Sequence, residues 1–453
     1  MKKEKIVIIG AVTAGGSAAF KISRLNPQAA ITVIEQDRHF SYAACGLPYY
    51  LSGEVNDYRK MIARGEKDYL DANINLLTRH RALQLEPSKN TVVVAAPDGG
   101  GTKTIFYDQL VLATGARAVV PPLEGTNLKG VYALRTLQQG VDLKKYLQRA
   151  EIKKTVIVGG SYLGLELAEA FKTLGFEVRL LEKMSAVMGT MDSDMAAHLE
   201  NEVINQGVLL HKGETLIAFE GDATGSLKAV VTDKGSYEAD LAVLALGVKP
   251  NTTLAAEAGI KLGIQQAVAV DQYLRTSVDN IYAAGDCAET YHRLLGKNVY
   301  IPLGTTANRQ GRLAGENVCG KNACFPGVLG SAVIKVFNLS AGRTGLSEAE
   351  ARAHNLPCRS TVIKTLDHAA YYPGAAPLLI KLVFNPGDGK ILGGQIVGSL
   401  KAVKRVDTIA TAISAGLTAG DLASVDFSYA PPFSRVWEGL TLAANAAGNE
   451  LKK

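Results

Sequence analysis

The chain has 453 residues, too many for one hydrophobic core, and a scale of roughly 150 residues per domain points to about three domains. With 47% hydrophobic and 20% charged residues it has the balance of a folded globular protein, which excludes disordered and fibrous classes. The formal charge of +6 is small, and Lys and Arg are interspersed with acids, so nucleic acid is not indicated as a partner.

The N-terminus opens with the basic stretch Met1–Lys5, but the apolar run that follows is too short for a signal peptide, and no stretch is long enough to span a membrane. Five cysteines at irregular spacing do not form a secreted disulfide framework, which fits a reducing cytoplasm. The run Ile6–Ile9 reads as a buried first strand. It ends at Gly10, Val12 and Gly15 and enters a helical pattern through Ala18, Ala19, Ile22 and Leu25. A second strand, Ile31–Ile34, ends in Glu35, roughly 20 residues past Gly15, where a ribose-binding acid belongs. The first glycine of such a unit permits a tight turn, a small second residue lets backbone N–H groups reach a pyrophosphate, and the third lets helix pack on strand. Here the middle glycine is replaced by Val12.

Next comes Phe40–Tyr50, which contains Cys45. Pro48 is tolerated in a first helical turn, so Cys45 is predicted at a helix N-terminus, where a thiolate gains from the dipole. After the apolar Leu110–Ala113 with Thr114 and Gly115, the earlier grammar returns at Thr155–Val158. Its turn residues are Gly159, Ser161 and Gly164, its helix runs through Leu167, Ala170, Phe171 and Leu174, and its second strand ends in Glu182. Two such units imply two dinucleotides, or one dinucleotide and a duplicated scaffold. Glu182 pairs with a free ribose 2′-OH and repels a 2′-phosphate, favouring NADH, although Arg179 and Lys183 leave NADPH possible. As an isolated feature Glu182 also fits a solvated loop acid.

Leu110–Gly115, Ala245–Asn251 and Thr276–Asp286, in that order around the second unit, resemble the flavoprotein pyridine nucleotide-disulfide reductases. The resemblance implies an α/β protein with two Rossmann-like domains, the NAD domain inserted in a split FAD domain, and a C-terminal α+β dimerisation domain. The implied boundaries are 1–118 and 246–325 for FAD, 119–245 for NAD(P)H and 326–453 for dimerisation as a homodimer. FAD falls to Gly10, Val12, Gly15, Glu35, Thr114, Gly115 and Asp286, whose carboxylate is the expected partner of the ribityl chain. NAD falls to Gly159, Ser161, Gly164, Glu182 and Gly247.

Dithiol members of that family keep a second cysteine five residues after the first, and this chain has Tyr50 there. Cys45 is therefore expected to work alone, as a persulfide, sulfenate or mixed-disulfide centre. The single-cysteine branch holds coenzyme A-disulfide reductases, coenzyme A-persulfide reductases, NADH peroxidases and NADH oxidases. The peroxidases and oxidases carry a histidine in the first glycine loop where this chain has Thr13. His368–Ala375 and Ser428–Ser434 resemble the coenzyme A-disulfide branch. By that resemblance Tyr429, and secondarily Tyr372, are catalytic, with Tyr429 reaching the partner subunit's Cys45. A phenol near a thiolate can donate a hydrogen bond and protonate a leaving thiolate, although tyrosines are also ordinary interface residues. Coenzyme A as substrate or bound thiol would lie against Lys21, Arg24, Ser41, Asn308 and Arg312, while Ala44 stands where the family sometimes has asparagine. Taken singly, Lys21 and Arg24 also fit solvated surface charges.

The expected activity is FAD-dependent NAD(P)H reduction of coenzyme A disulfide, coenzyme A persulfide or a related small disulfide. Its alternatives are an NADH oxidase or peroxidase, and a reductase of a protein or quinone carrier. Cys319 and Cys324 have redox-pair spacing but read as structural, Cys287 as packed and Cys358 as unpartnered; no His/Cys cluster has metal-ligand spacing. From about Phe325, Val333–Phe337, Ser360–Lys364, Leu378–Phe384 and Ile391–Gly398 read as strands, with a turn at Pro386–Gly389 and a helix over Val406–Leu417. An antiparallel sheet with helices on one face is expected there. The chain ends soon after Trp437, so a fused rhodanese-like domain is not expected.

Overall fold

A computed structural model describes residues 3–149 and 151–452, which leaves Met1 and Lys2 of the basic start outside the described residues. The chain divides into two compact units, one of residues 1–119, 133–147 and 247–328, the other of residues 120–132, 148–246 and 329–453.

In the first unit a five-stranded sheet has the order Ile281–Ala283, Gln109–Leu112, Lys5–Ile9, Ala30–Ile34, Ile74–Leu77, with all neighbours parallel. Both faces are covered, so its strands are continuously apolar rather than alternating. Ile6, Ile8, Val33 and Val111 pack on the side of the helix Thr13–Leu25. Val7, Ile9, Ile34, Leu110 and Leu112 form the other core with Ala255 and Ile260. An antiparallel sheet of Arg81–Glu86, Thr91–Ala95 and Thr102–Phe106 adds to the elements expected from the sequence.

The second unit repeats the arrangement, with Leu209–Lys212, Glu177–Glu182, Lys154–Val158 and Leu241–Leu244 parallel in that order and Val131–Ala133 at the edge. Its C-terminal sheet is antiparallel, in the order Ala332–Val336, Leu339–Gly345, Ile391–Gly398, Pro377–Phe384, Arg359–Leu366. The strand Leu339–Gly345 is a further addition, since Ser, Gly, Arg and Thr dominate it. Its pairing with Ile391–Gly398 puts Gly342 opposite Ile396, and Ile396 lies opposite Ile380. Gly342 and Gly394 receive Val406 and Ile409 of the helix Val406–Ser414, and Ile380 receives Gly439 of the helix Gly439–Leu451. Both helices therefore cover one face, as expected.

Because side chains alternate along a strand, the opposite face carries Arg343, Gln395 and Lys381 in a row. These buried polar groups meet the segment before the helix Ser193–Asn205. Lys381 Nζ lies 3.2, 3.0 and 3.1 Å from carboxylate oxygens of Asp192, Asp194 and Glu348. Gln395 donates to Asp192 at 2.6 Å, and Arg343 holds Glu350 through both Nη atoms. Burial raises the Asp192 carboxyl, but N–H groups of Ala349 and Glu348, with Lys381, bring it below its ordinary value. The Ser360 hydroxyl and Lys381 do the same for Glu348.

Removing the cation that Asp192, Asp194 and Glu348 share leaves the buried Asp192 carboxylate without its ion pair, so Lys381→Met is expected to lower the unfolding free energy by ~3–5 kcal/mol, read by urea denaturation at neutral pH. Asp192 and Glu348 both have depressed pKa values. Their contribution in the native protein is therefore complete above the unfolded value of about 4 and is lost as pH falls through the lower folded values. The difference between the variant and the native chain should shrink below that pH.

Candidate functional site

The two dinucleotide units superimpose in their hydrogen bonding, residue for residue. Glu35 accepts the Ala11 N–H at 2.8 Å on one oxygen and the Asp37 N–H at 2.9 Å on the other. Glu182 accepts the Gly160 N–H and the Met184 N–H, both at 2.7 Å. Each acid thus ties the glycine turn to its own strand end and keeps lone pairs for a ribose hydroxyl. Burial pushes the Glu35 carboxyl up, opposed by the N–H groups of Asp37 and Ala11. Gly10 and Gly159 turn at φ of +106° and +111°, which an L side chain rarely adopts. The helices Thr13–Leu25 and Tyr162–Thr173 begin after Val12 and Ser161, and neither is capped by a side chain. Their first-turn N–H groups suit the pyrophosphate of a dinucleotide. These donor sets fit FAD and NAD(P)H.

Thr114 and Gly115 lie where two crossing segments pair, Ala116–Ala118 running antiparallel to Val248–Pro250. Thr114 Oγ1 donates to the Asn251 carbonyl at 2.6 Å, and Asn251 Nδ2 returns a bond to the Thr114 carbonyl at 3.0 Å. Gly247 belongs to this ladder, its carbonyl accepting the Val119 N–H at 3.0 Å, so it is part of the first compact unit. Asp286 follows the strand Ile281–Ala283 and forms an ion pair with Arg135, while Tyr300 donates to the Asp286 backbone carbonyl at 2.9 Å. Sequence reasoning passed over Arg135 and Tyr300. The Asp286–Arg135 pair joins residues 151 positions apart, and no local pattern announces it.

Cys45 is exposed. It sits in a single 3-10 turn, Ala44–Gly46, directly ahead of the six-residue helix Leu47–Ser52, rather than inside that helix's first turn. The segment leading to it is fixed from two sides. Ser41 N–H donates to the Ala11 carbonyl at 2.9 Å, and Tyr42 bridges Ile62 in antiparallel fashion. Ser41 adopts φ of +49°, an uncommon left-handed conformation for serine. Its hydroxyl is turned inward to the Tyr69 hydroxyl at 2.8 Å, so the side chain holds the turn and does not face solvent. Burial pushes the Tyr42 phenol up to about 12. Tyr50 is buried, its ring edge-on to Tyr58.

The other candidate coenzyme A contacts lie on two helices of the same unit. Asn308 Nδ2 donates to Ser17 Oγ at 3.0 Å, and Lys21 pairs with Glu316 at 2.6 Å, which brings Thr13–Leu25 alongside Gly304–Val318. Arg24 and Arg312 are exposed. Tyr372 and Tyr429 belong to the second unit and are 41% and 44% exposed. Tyr371 and Tyr429 share a hydroxyl–hydroxyl contact of 3.3 Å, which holds the Tyr429 phenol above its ordinary value. His368 Nδ1 lies 2.8 Å from Asp367, and its ring is edge-on to Tyr372.

The remaining cysteines are free. Cys287 is fully buried with its S–H toward the carbonyls of Leu112 and Ala284, and burial pushes its thiol up. Cys319 follows the helix Gly304–Val318 and Cys324 is exposed. Among the described residues no His, Cys, Asp and Glu group is placed to hold a metal ion, and no helix is long and apolar enough to cross a membrane.

Comparison with known proteins agrees with this arrangement. Residues 4–311 match the pyridine nucleotide-disulphide oxidoreductase family, and residues 331–440 match its dimerisation domain. The chain is 37% identical over 443 residues to the NAD(P)H coenzyme A polysulfide/persulfide reductase of Pyrococcus horikoshii, covering 98% of each chain. It is 36% identical over 449 residues to an NADH oxidase of Methanocaldococcus jannaschii, covering 99% of each. It resembles the solved structure of reduced CoADR-RHD from Bacillus anthracis with a TM-score of 0.96 and 33% identity, over 100% of this chain and 81% of that one. With two dinucleotide units followed by a C-terminal antiparallel sheet, the chain belongs to the pyridine nucleotide-disulphide oxidoreductase family.

Proposed function

We propose that this chain is an FAD-dependent NAD(P)H oxidoreductase that reduces coenzyme A disulfide, coenzyme A persulfide or a related small disulfide through Cys45 alone. The observation that carries the reading is an exposed thiol on a fixed turn beside the first dinucleotide unit, with buried Tyr50 in place of a second cysteine. Gly10, Val12, Gly15, Glu35, Thr114, Gly115 and Asp286 hold FAD, with Arg135 beside Asp286. Gly159, Ser161, Gly164 and Glu182 hold the nicotinamide dinucleotide, with Gly247 on the crossing segment, and Glu182 favours NADH. The FAD domain is split around the NAD domain, near 1–118 and 246–325 about 119–245, except that residues 133–147 cluster with the first unit and so go with the FAD domain, and residues 326–453 form the homodimer.

FAD, when bound, supplies the relay by which the nicotinamide's electron pair reaches a Cys45–sulfur bond. The Cys45 thiolate attacks one sulfur of coenzyme A disulfide, the S–S bond breaks, one coenzyme A leaves as thiolate, and Cys45 is left in a mixed disulfide. Two electrons then break that bond, freeing the second thiolate and restoring Cys45. The balance is one disulfide, one NADH and one proton in, and two thiols and NAD⁺ out. Tyr429, a phenol protonated at neutral pH and bonded to Tyr371, donates a proton to the thiolate leaving the partner subunit's Cys45, with Tyr372 as the second candidate donor. Lys21, Arg24, Asn308 and Arg312 meet the coenzyme A phosphates, while Ser41 shapes the turn. Five free thiols support a reducing, cytoplasmic setting.

Anaerobic NADH oxidation with coenzyme A disulfide, coenzyme A persulfide and hydrogen peroxide, set against aerobic oxidation without them, tests this reading. One of the two sulfur substrates is expected to exceed peroxide and oxygen by at least about tenfold in kcat/KM. Stoichiometric oxygen or peroxide consumption at the faster rate would reverse the assignment toward an oxidase or peroxidase.

A further inference from the structure

We propose that Lys144 is a positioning residue for Cys45, clamping the far end of the short helix that Cys45 precedes; the proposal rests on Cys45 being the redox sulfur. The helix Leu47–Ser52 has six residues, and helices this short do not persist in water by themselves. Ser41, Tyr42 and Ala43 anchor the near side of the turn Ala44–Gly46, and its far side is held by what the helix packs against.

The helix Leu137–Leu147 packs against this short helix. Gly140 faces Leu47 so closely that a Cβ there would lie 2.5 Å from Leu47 Cδ2. One turn on, Lys144 Nζ donates to the Leu51 carbonyl oxygen at 2.5 Å. That carbonyl belongs to the last turn, whose oxygens have no partner within the helix, and a cation there also meets the negative end of the helix dipole. The same ammonium lies 5.9 Å from the centre of the Tyr50 ring, in the place of the missing second cysteine. Burial pushes the Lys144 ammonium down from its ordinary value, so it is partly stripped of water, and a hydrogen bond from a charged donor is among the stronger kinds.

The segment 133–147 has a second anchor. Arg135 pairs with Asp286, and its Nε donates to the Ala116 carbonyl at 3.3 Å. In sequence this segment stands between 120–132 and 148–246, both in the second unit, yet it clusters with the first. One stretch of fifteen residues (133 to 147) thus holds the candidate flavin-side acid at one end and the redox helix toward the other.

The holoenzyme is compared with its Lys144→Met and Lys144→Arg variants. Lys144→Met is expected to speed amide hydrogen exchange across residues 44–52 about tenfold, with exchange in 5–34 unchanged, an effect equal to roughly 1.4 kcal/mol. It should lower kcat with coenzyme A disulfide by a similar factor and leave KM for NADH unchanged. Lys144→Arg, which keeps a cationic donor, should restore both within about twofold. Native exchange and kcat in Lys144→Met, or equal impairment of the two variants, would overturn the clamp. Should Lys144→Met lose its flavin, Lys144→Gln supplies the same comparison with a neutral donor. Exchange is read without turnover, so a fully active Cys45→Ser enzyme removes the reading of Cys45 and leaves the clamp to be judged by exchange.

Discussion

Cys45→Ser is expected to lose NADH-driven reduction of coenzyme A disulfide by at least about a thousandfold, while the protein remains yellow and its flavin is still reduced by NADH. The serine hydroxyl is no nucleophile toward a disulfide at neutral pH and cannot hold a sulfur as a mixed disulfide. The binding grammar stays untouched, because Cys45 makes no bond to the glycine turn or to Glu35; its turn is fixed by Ala43 and Gly46 backbone groups and by Ser41 and Tyr42. The serine variant should thus separate two half-reactions. Flavin reduction by NADH, followed by stopped-flow absorbance, proceeds at the native rate, and reoxidation by the disulfide stops. Native disulfide turnover in the variant would leave Cys45 a bystander, and a carrier reductase would become the better account.

The parts of this site that the sequence announces are those whose partners are near in the chain. Gly10, Gly15 and Glu35 fall within one strand–helix–strand unit, and so do Gly159, Gly164 and Glu182, so spacing alone predicts how they meet. Residues whose meaning depends on distant partners stay silent. Arg135 is an ordinary arginine until the fold sets it on Asp286, and Lys144 an ordinary helix lysine until Leu51 arrives 93 positions away in the chain. Ser41 illustrates the reverse case. Its place before Cys45 suggests a substrate contact, yet a left-handed backbone and the Tyr69 hydroxyl turn it inward. In the fold, Leu339–Gly345 escapes a hydrophobic-pattern reading because one of its faces packs on helices through Gly342 and its other face carries the buried Arg343. The antiparallel sheet of 81–106 is a different case: its central strand Thr91–Ala95 is a buried β-branched run, but the partners Arg81–Glu86 and Thr102–Phe106 that make it a sheet are largely exposed.

Gly15→Ala and Gly164→Ala are expected to separate the two dinucleotides. The positions are equivalent: a Cβ on Gly15 would lie 1.8 Å from the Gly10 carbonyl oxygen, and one on Gly164 would lie 1.8 Å from that of Gly159. Backbone oxygen cannot yield as a flexible side chain would, so each helix must shift away from its strand and carry its N-terminal N–H groups off the pyrophosphate. A displacement near 1 Å is worth about a hundredfold in a positioned reaction. Gly15→Ala should therefore purify with little or no flavin. Gly164→Ala should stay yellow and lose about a hundredfold in flavin reduction by NADH, while dithionite still reduces its flavin and coenzyme A disulfide still reoxidises it. The native chain and Gly164→Ala would then differ only in the half-reaction that needs the nicotinamide. A colourless Gly164→Ala alongside a yellow Gly15→Ala would exchange the two assignments, because nothing in the geometry of the turns themselves distinguishes the unit built on Glu35 from the unit built on Glu182.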